Sequence, residues 1–310
     1  MSSLVYISED RVRELLKWDL TFELMEKAFV GVSKNGAIQN PRTVTQLSDT
    51  NVLFTMPGCL VDDKFGALGC KIVSYFPKNQ SVPTLMANIL LMDDVTGALK
   101  GVIAGTEITS WRTAAASAVA TKYLHKKDKK ILSIIGAGTQ GKIHAIAFSY
   151  FFKFEEVRIW NRTFERAAKL VEELDGVCIF KACNTVEECV KDADVVITTT
   201  GSEKPLVKLE WLKKTVHINA VGVGPNNFEV EEDVYKVSQV YIDHWAGAKT
   251  ELKFLIDAGV LFKGQIGDVI TGSVPPPVDG CITIFQSLGM AVEDCAMARM
   301  IYDLHTKNIK

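Results

Sequence analysis

The sequence predicts an α/β protein: a doubly wound parallel sheet of the dinucleotide-binding (Rossmann) kind, joined to a second α+β domain. Three observations carry this. From Lys130 onward, short strand-like runs alternate with helical patterns, the order that builds a parallel sheet with helices on both faces. A glycine loop, GAGTQG at 136–141, falls between the first of these strands and the first helix, the context in which such a loop binds a dinucleotide. Before Thr109 the pattern differs: apolar runs are separated by Gly and Asp punctuation, the sign of hairpins in an antiparallel or mixed sheet.

The elements follow in order. SEDRVRELLKWDLTFELMEKAFVGVSKNG reads as one helix or two, stopped at Asn35-Gly36. TVTQLSD, NVLFTMPG, ALGCKIVSYFP and ANILLMDDVTGALKGVIAG read as strands. TSWRTAAASAVATKYL is an alanine-rich helix, and HKKDKK after it a charged, solvated connector and the expected domain boundary. In the second half KKILSIIGAG, VRIWN, VCIFKA, DVVITTT, TVHINAVG and QVYIDHW are six strands, with helices GKIHAIAFSYFF, TFERAAKLVEEL and TVEECVKDA between the first four. PPP at 275–277 interrupts the chain, and the end of CITIFQSLGMAVEDCAMARMIYDLH is an amphipathic helix. Such an apolar face must pack somewhere, so this helix is expected to return to the first domain. The division expected is residues 1–124 with 288–310 as a substrate-binding and dimerisation domain, and 125–287 as the nucleotide-binding domain.

Composition narrows the function. Over 310 residues, 35 basic and 37 acidic residues nearly cancel, leaving no electrostatic footprint for nucleic acid or an anionic membrane. No apolar run approaches the roughly 20 residues of a membrane span. The first residues lack a basic flank followed by an apolar core, and the final NIK is neither a peroxisomal nor a prenylation signal. A cytoplasmic address is the expectation. Seven scattered cysteines form no Cys-x-x-Cys pair, and the five histidines share no ligand spacing; reduced, mostly buried thiols and no metal are expected. Neither a Gly-x-Ser-x-Gly elbow nor a P-loop is present.

In the loop, Gly136 permits the tight turn, Gly138 lets backbone approach a diphosphate, and Gly141 allows helix and strand to pack closely. The amides at the start of the helix then meet the diphosphate. The second strand ends in Asn161, Arg162 and Thr163, where an NAD-selective fold carries an acid for the ribose 2′-hydroxyl. A guanidinium there suits a 2′-phosphate, so the expected cofactor is NADPH (NADP+). Thr198 to Thr200 end the fourth strand, where a cofactor crossing the sheet edge meets hydroxyls. The run EVEED at 229–233 reads as a solvated face.

Three cations of the first domain stand among small or apolar neighbours: Arg42, Lys71 and Arg112. Lys71 interrupts a strand, which implies a pocket or an acidic partner. Arg112 is placed in the first turn of its helix, capped by Thr109 or Ser110, where a cation opposes the helix dipole unless an anion binds there. Together they suggest a carboxylate-binding site.

RTAAASAVATKYL, GAGTQG, VRIWNRT, HINAVG and SLGMAVED together resemble the ornithine cyclodeaminase/mu-crystallin family across nearly the whole chain, and most of all its NADPH-dependent ketimine reductases. The resemblance implies a homodimer. It implies cofactor contacts at Thr84, Arg112, Ala137, Thr139, Gln140, Asn161, Arg162, Thr163, Thr200 and Val221, with Gln286 and Ser287 close by. It places Arg42 and Lys71 at the substrate carboxylate and Glu251 in the ligand pocket. Cyclodeaminases of the family carry a Glu just before Met-Pro and an Asp after the NAVGG-like strand. This chain has Phe54 in FTMP and Val223-Gly224 in NAVGVGPNNFE, so deamination lacks its general base. The expected reaction is reduction of a cyclic ketimine bearing a carboxylate, such as pyrroline- or piperideine-2-carboxylate. Arg42 and Lys71 would clamp the carboxylate while Arg112 aligns substrate and cofactor. The alternatives are an open-chain alanine or N-alkyl amino acid dehydrogenase, an ornithine cyclodeaminase-like activity, and a thyroid-hormone-binding or crystallin-type role, with Phe54, Tyr75, Phe76 and Trp111 as aromatic walls.

Overall fold

The computed structural model describes residues 4–174, 178–224 and 227–307. The first residues, the NIK end, Val177 of the third predicted strand and positions 225 and 226 of NAVGVGPNNFE lie outside that set. The chain forms two compact units, Met1–Arg112 with Gly289–Lys310, and Thr113–Leu288.

The first unit begins with β1 (Val5–Ile7), α1 (Glu9–Leu15) and α2 (Trp18–Ser33). The predicted single or double helix is therefore double, and Asn35 ends it with φ 57°, a left-handed turn that Asn tolerates. There follow β2 (Ala37–Gln39), β3 (Thr43–Gln46), β4 (Val52–Leu60), β5 (Ala67–Tyr75), β6 (Leu85–Met92) and β7 (Leu99–Ala104). They make one sheet in the order β1-β7-β6-β5-β4-β2, with β3 also on β4. All pairs are antiparallel except β1 with β7. Strand alternation sets which side chains turn inward: Ala67, Gly69, Lys71 and Val73 of β5 are buried, as are Met56, Gly58 and Leu60 of β4.

α3 (Thr106–Leu124) carries the chain into the second unit. The division falls between Arg112 and Thr113, inside this helix and not after Leu124 as the sequence suggested. The reason is side-chain partners: Thr121 Oγ1 accepts from Asn219 Nδ2 at 2.9 Å, and Ser117 Oγ is 3.0 Å from His144 Nε2. The connector is also less solvated than expected, because His125 is buried.

The second unit contains β8 (Ile131–Ile135), α4 (Thr139–Phe151), β9 (Glu156–Trp160), α5 (Phe164–Glu173), β10 (Ile179–Cys183), α6 (Val186–Val190), β11 (Val195–Thr198) and β12 (His217–Ala220). A small hairpin follows, β13 (Val223–Gly224) with β14 (Asn227–Phe228), then α7 (Glu232–Val237), β15 (Gln239–Ile242), α8 (Trp245–Glu251), α9 (Lys253–Asp257), β16 (Phe262–Gln265), α10 (Ile266–Thr271) and β17 (Thr283–Gln286). Eight parallel strands run β10-β9-β8-β11-β12-β17-β15-β16. The order reverses between β8 and β11, the switch point at which open α/β sheets bind ligands. β11 and β12 are buried along their whole length, as expected for strands covered on both faces. The sequence reading missed β16 and β17; both runs are short and lie among Gly and Pro.

α11 (Ala291–Thr306) closes the chain, packed on β4, β5 and β6 and against α2 of the first unit. Its return to this unit was expected, but its amphipathic character was not borne out. Ala291 to Ala298 and Met300 to Tyr302 are all buried, so it is an interior helix whose acids also face inward. No helix among the described residues is long and apolar enough to cross a membrane.

Candidate active site

At the switch point the carboxyl ends of β8, β9 and β11 open a cavity of about 330 Å³ in the second unit, lined by Gly136, Gly138, Asn161, Arg162, Thr163, Arg166 and the 199–202 stretch, among others. Two of its glycines are forced by geometry. Gly136 has φ 121° and its amide donates to Trp160 O at 2.8 Å. A Cβ on Gly141 would lie 1.9 Å from Gly136 O. Around Gly138, by contrast, no atom lies within 4 Å of an added Cβ, leaving open space over the loop. Gly138 is the N-cap of α4 and offers no side chain to its first amides, so they remain available to an anion. Gln140 Oε1 is buried without a hydrogen-bond partner. The uncapped start of α4 and the open space over Gly138 fit a dinucleotide diphosphate.

Asn161 accepts from the Ala137 amide at 3.3 Å and donates to Thr163 O at 2.9 Å. It ties the glycine loop to the end of β9 and holds the segment from which Arg162 projects. Arg162 and Arg166 line the same cavity, and neither is paired with an acid among the described residues. Thr199 Oγ1 donates to Ile135 O at 3.3 Å, whereas Thr200 Oγ1 accepts from Ser202 N at 3.2 Å. Val221 donates its amide to Thr198 O, and Ser287 to Ala220 O. Gln286 is occupied at both ends, accepting from the Tyr235 hydroxyl at 2.5 Å and donating to Ala220 O at 3.0 Å.

The first unit gathers the predicted cations with two acids. Lys71 Nζ is 2.5 Å from Asp294 Oδ2. Arg112 donates from Nε to Asp294 Oδ1 at 3.1 Å and from Nη1 to Glu293 Oε2 at 3.2 Å. All four side chains are buried. Burial lowers the Lys71 ammonium to about 8, against the attraction of Asp294; Arg112 and Arg42 push it the same way as burial. That last influence places Arg42, which is half-buried, in electrostatic reach of Lys71.

Two expectations about Arg112 are corrected. It lies beyond the first turn of α3, which starts at Thr106, and the cap is not Thr109 or Ser110. Glu9 accepts from the Thr106 and Glu107 amides at 2.7 and 3.1 Å. The cation is balanced by Glu293 and Asp294, not by the helix end. Gly289, φ 78°, makes room for it: an added Cβ would lie 2.6 Å from Nη1.

Thr84 is exposed just before β6 and accepts from Phe76 N at 2.7 Å. Glu251 is the last residue of α8 in the second unit. Trp111, expected as a pocket wall, stacks on Trp18 with ring centroids 3.8 Å apart. Among the cysteines only Cys183, Cys189 and Cys295 are buried, and all seven are free. No cluster of metal-ligating side chains occurs among the described residues.

One residue escaped the sequence reading. Glu229, taken with EVEED as a solvated face, is 2% exposed. It accepts from the Gly222 amide at 2.8 Å and from the Thr200 amide, and burial raises its carboxyl to about 7. Glu232 and Asp233 of the same run are exposed. The signal for Glu229 was its place between the apolar Phe228 and Val230.

The arrangement has relatives. The model of the ornithine cyclodeaminase/mu-crystallin family matches residues 4–308. The chain belongs to that family. It is 36% identical over 306 residues to the ketimine reductase mu-crystallin of Rattus norvegicus, covering 96% of each chain. Among solved structures it is similar to the Δ1-pyrroline-2-carboxylate reductase of Thermococcus litoralis, in complex with NADH and L-proline. There the TM-score is 0.93, with 29% identity and 98% of both chains covered. An archaeal alanine dehydrogenase dimer with bound NAD gives a TM-score of 0.91, with 31% identity over 99% of this chain and 97% of that one. With these family members the chain is an oxidoreductase.

Proposed function

We propose that the protein reduces a C=N bond adjacent to a carboxylate, with cyclic ketimines such as pyrroline- and piperideine-2-carboxylate as substrates and NADPH as reductant. The observation that carries this is the buried cluster of Lys71, Arg112, Asp294 and Glu293 with Arg42 beside it. Lys71 and Arg112 are held there by Asp294 and Glu293, and Arg42 lies in electrostatic reach of Lys71, a gathering of cations that a substrate carboxylate would meet. Arg42 and Lys71 hold that carboxylate, and the bidentate capacity of Arg42 fixes its orientation. Arg112, clamped by two acids and crossing Gly289, orients the site. When bound, the nicotinamide cofactor supplies the hydride. An imine nitrogen of such a substrate is readily protonated, so catalysis rests on holding the cation beside its carboxylate in one orientation.

The choice of NADPH rests on Arg162 and Arg166 lining the cavity at the end of β9 with no acid at that place. Thr163, Asn161 and the 136–141 loop complete the grip. The test is oxidation of NADPH and NADH, at equal concentrations, with piperideine-2-carboxylate. Turnover with NADPH at least tenfold faster supports both halves of the proposal; turnover with NADH alone removes the role given to Arg162. The likeness to an alanine dehydrogenase favours one second reading, an open-chain imine formed from a 2-oxo acid and an amine. Pyruvate with ammonia or methylamine, in place of the cyclic imine, tests it.

We also propose a homodimer formed through the first unit. The face of its sheet opposite α11 exposes Ile38, Leu53 and Leu68, apolar side chains of the kind that mark an interface. Light scattering during size exclusion reads the mass directly, and a monomer overturns it.

A further inference from the structure

We propose that Glu229 is a positioning residue for the dinucleotide, joining the three loop segments that shape the cavity wall. The inference rests on the dinucleotide-binding part of the function proposed above. Glu229 uses every acceptor it has. Its side chain accepts from the Thr200 and Gly222 amides, at the carboxyl ends of β11 and β12. Its own carbonyl accepts from Leu206 N at 2.7 Å and Val207 N at 3.0 Å. The stretch between those anchors includes Thr200, Gly201, Ser202 and Leu206, all of which line the cavity. One residue thus pins both ends of that wall.

The fit is tight. A Cβ on Gly222 would lie 2.3 Å from Thr200 O and 2.5 Å from Glu229 Oε2, so only glycine lets the carboxylate reach both strands' ends. A carboxylate offers a separate acceptor oxygen to each of the two amides, whereas a hydroxyl or a carboxamide has one acceptor oxygen for both. A buried acid costs free energy unless it is hydrogen-bonded, and Glu229 offsets that cost with two backbone amides of the cavity wall. The groups that face Glu229 are the hydroxyls of Thr198 and Thr200 and the phenol of Tyr235. Those groups do not change charge between pH 6 and 8, whereas the cofactor's own 2′-phosphate titrates at about pH 6, so the difference between the wild-type and Glu229→Gln profiles reports Glu229. Protonation sets an O–H against one of the two amide donors and loosens the wall.

The experiment compares wild type with Glu229→Gln and, as a control in the same run, Glu232→Gln. NADPH binding is followed by fluorescence from pH 6 to 8 without any imine substrate, beside thermal melting. The expected result for Glu229→Gln is a Kd raised about tenfold or more at pH 8, with only the pH dependence of the cofactor's 2′-phosphate left. Glu232→Gln should match wild type. A Glu229→Gln protein whose melting temperature falls while its Kd and pH profile stay those of wild type overturns the proposal, since the acid is then only structural. If Glu229→Gln does not fold, Gly222→Ala tests the same contact; unchanged NADPH affinity in a folded Gly222→Ala protein overturns it equally. Because no imine is present, failure of the imine-reductase reading leaves this result untouched.

Discussion

Asp294 Oδ2 lies 2.5 Å from Lys71 Nζ in the interior of the first unit, a strand residue held by a helix residue from the far end of the chain. The same carboxylate accepts from Arg112. Asp294 therefore meets two buried cations, and Glu293 shares the Arg112 guanidinium with it. Removing one member of a buried ion pair typically costs about 3–5 kcal/mol, because it strands a charge away from water. Asp294→Asn is expected to lower stability by that order in urea unfolding. It should also reduce kcat/KM for a carboxylate-bearing imine by at least tenfold at neutral pH. A variant with wild-type kcat/KM would separate Asp294 from the site.

Lys71 gives a pH signature. Folding lowers its ammonium to about 8 from an ordinary 10.5, so between those values the unfolded chain binds the proton and the folded one does not. Stability therefore rises with pH across about 8 to 10.5 from this group alone, and below pH 8 the folded protein bears the buried charge. Lys71→Met should lack that rise, as melting temperatures across the window would show. In the wild type, kcat/KM should fall above about pH 8 as the substrate carboxylate loses its ammonium. In Lys71→Arg the falling limb should move upward.

The role proposed for Arg162 is to meet the cofactor's 2′-phosphate. Replacing it with Ala is expected to raise KM for NADPH by ten- to a hundredfold while KM for NADH changes less than threefold. Equal changes for both cofactors would mean that Arg162 does not meet the 2′-phosphate. Arg166→Ala should act in the same direction and more weakly.

Gly58 fixes where α11 sits. A Cβ there would lie 2.8 Å from Ala291 C and Val292 N, backbone atoms at the start of the helix that carries Glu293 and Asp294. Gly58→Val should cost about 1–3 kcal/mol, as overpacking of a close contact does. It should also lower kcat, since the acids move with the helix. Denaturant melts and steady-state kinetics check the two parts separately; a stable, fully active variant would show that α11 has room to shift.

The sequence was most legible where spacing and local chemistry decide the outcome. The glycine loop between β8 and α4 could be read because turn, close approach and helix start each demand a glycine at fixed spacing. The hairpins of the first unit and the parallel order of β8 to β12 followed from periodicity and punctuation. Asn161, Arg162 and Thr163 were read from what was missing, an acid at the end of the second strand.

Other features depended on partners distant in sequence. Arg112 was assigned an opposed helix dipole because Glu293 and Asp294 arrive from 181 and 182 residues away. Glu229 looked like surface because EVEED is four acids in five residues, and only the meeting of β11 and β12 buries the first of them. α11 was expected to be amphipathic because its acids look solvent-facing on paper; in the fold they face Lys71 and Arg112. Thus the sequence by itself determined the nucleotide-binding sheet, its glycine loop and the cations of the first unit, since these depend on backbone conformation and short-range spacing. Which charges would neutralise one another was decided only by the tertiary structure, because a buried charge is stable only where the fold delivers its counter-charge within a few ångströms.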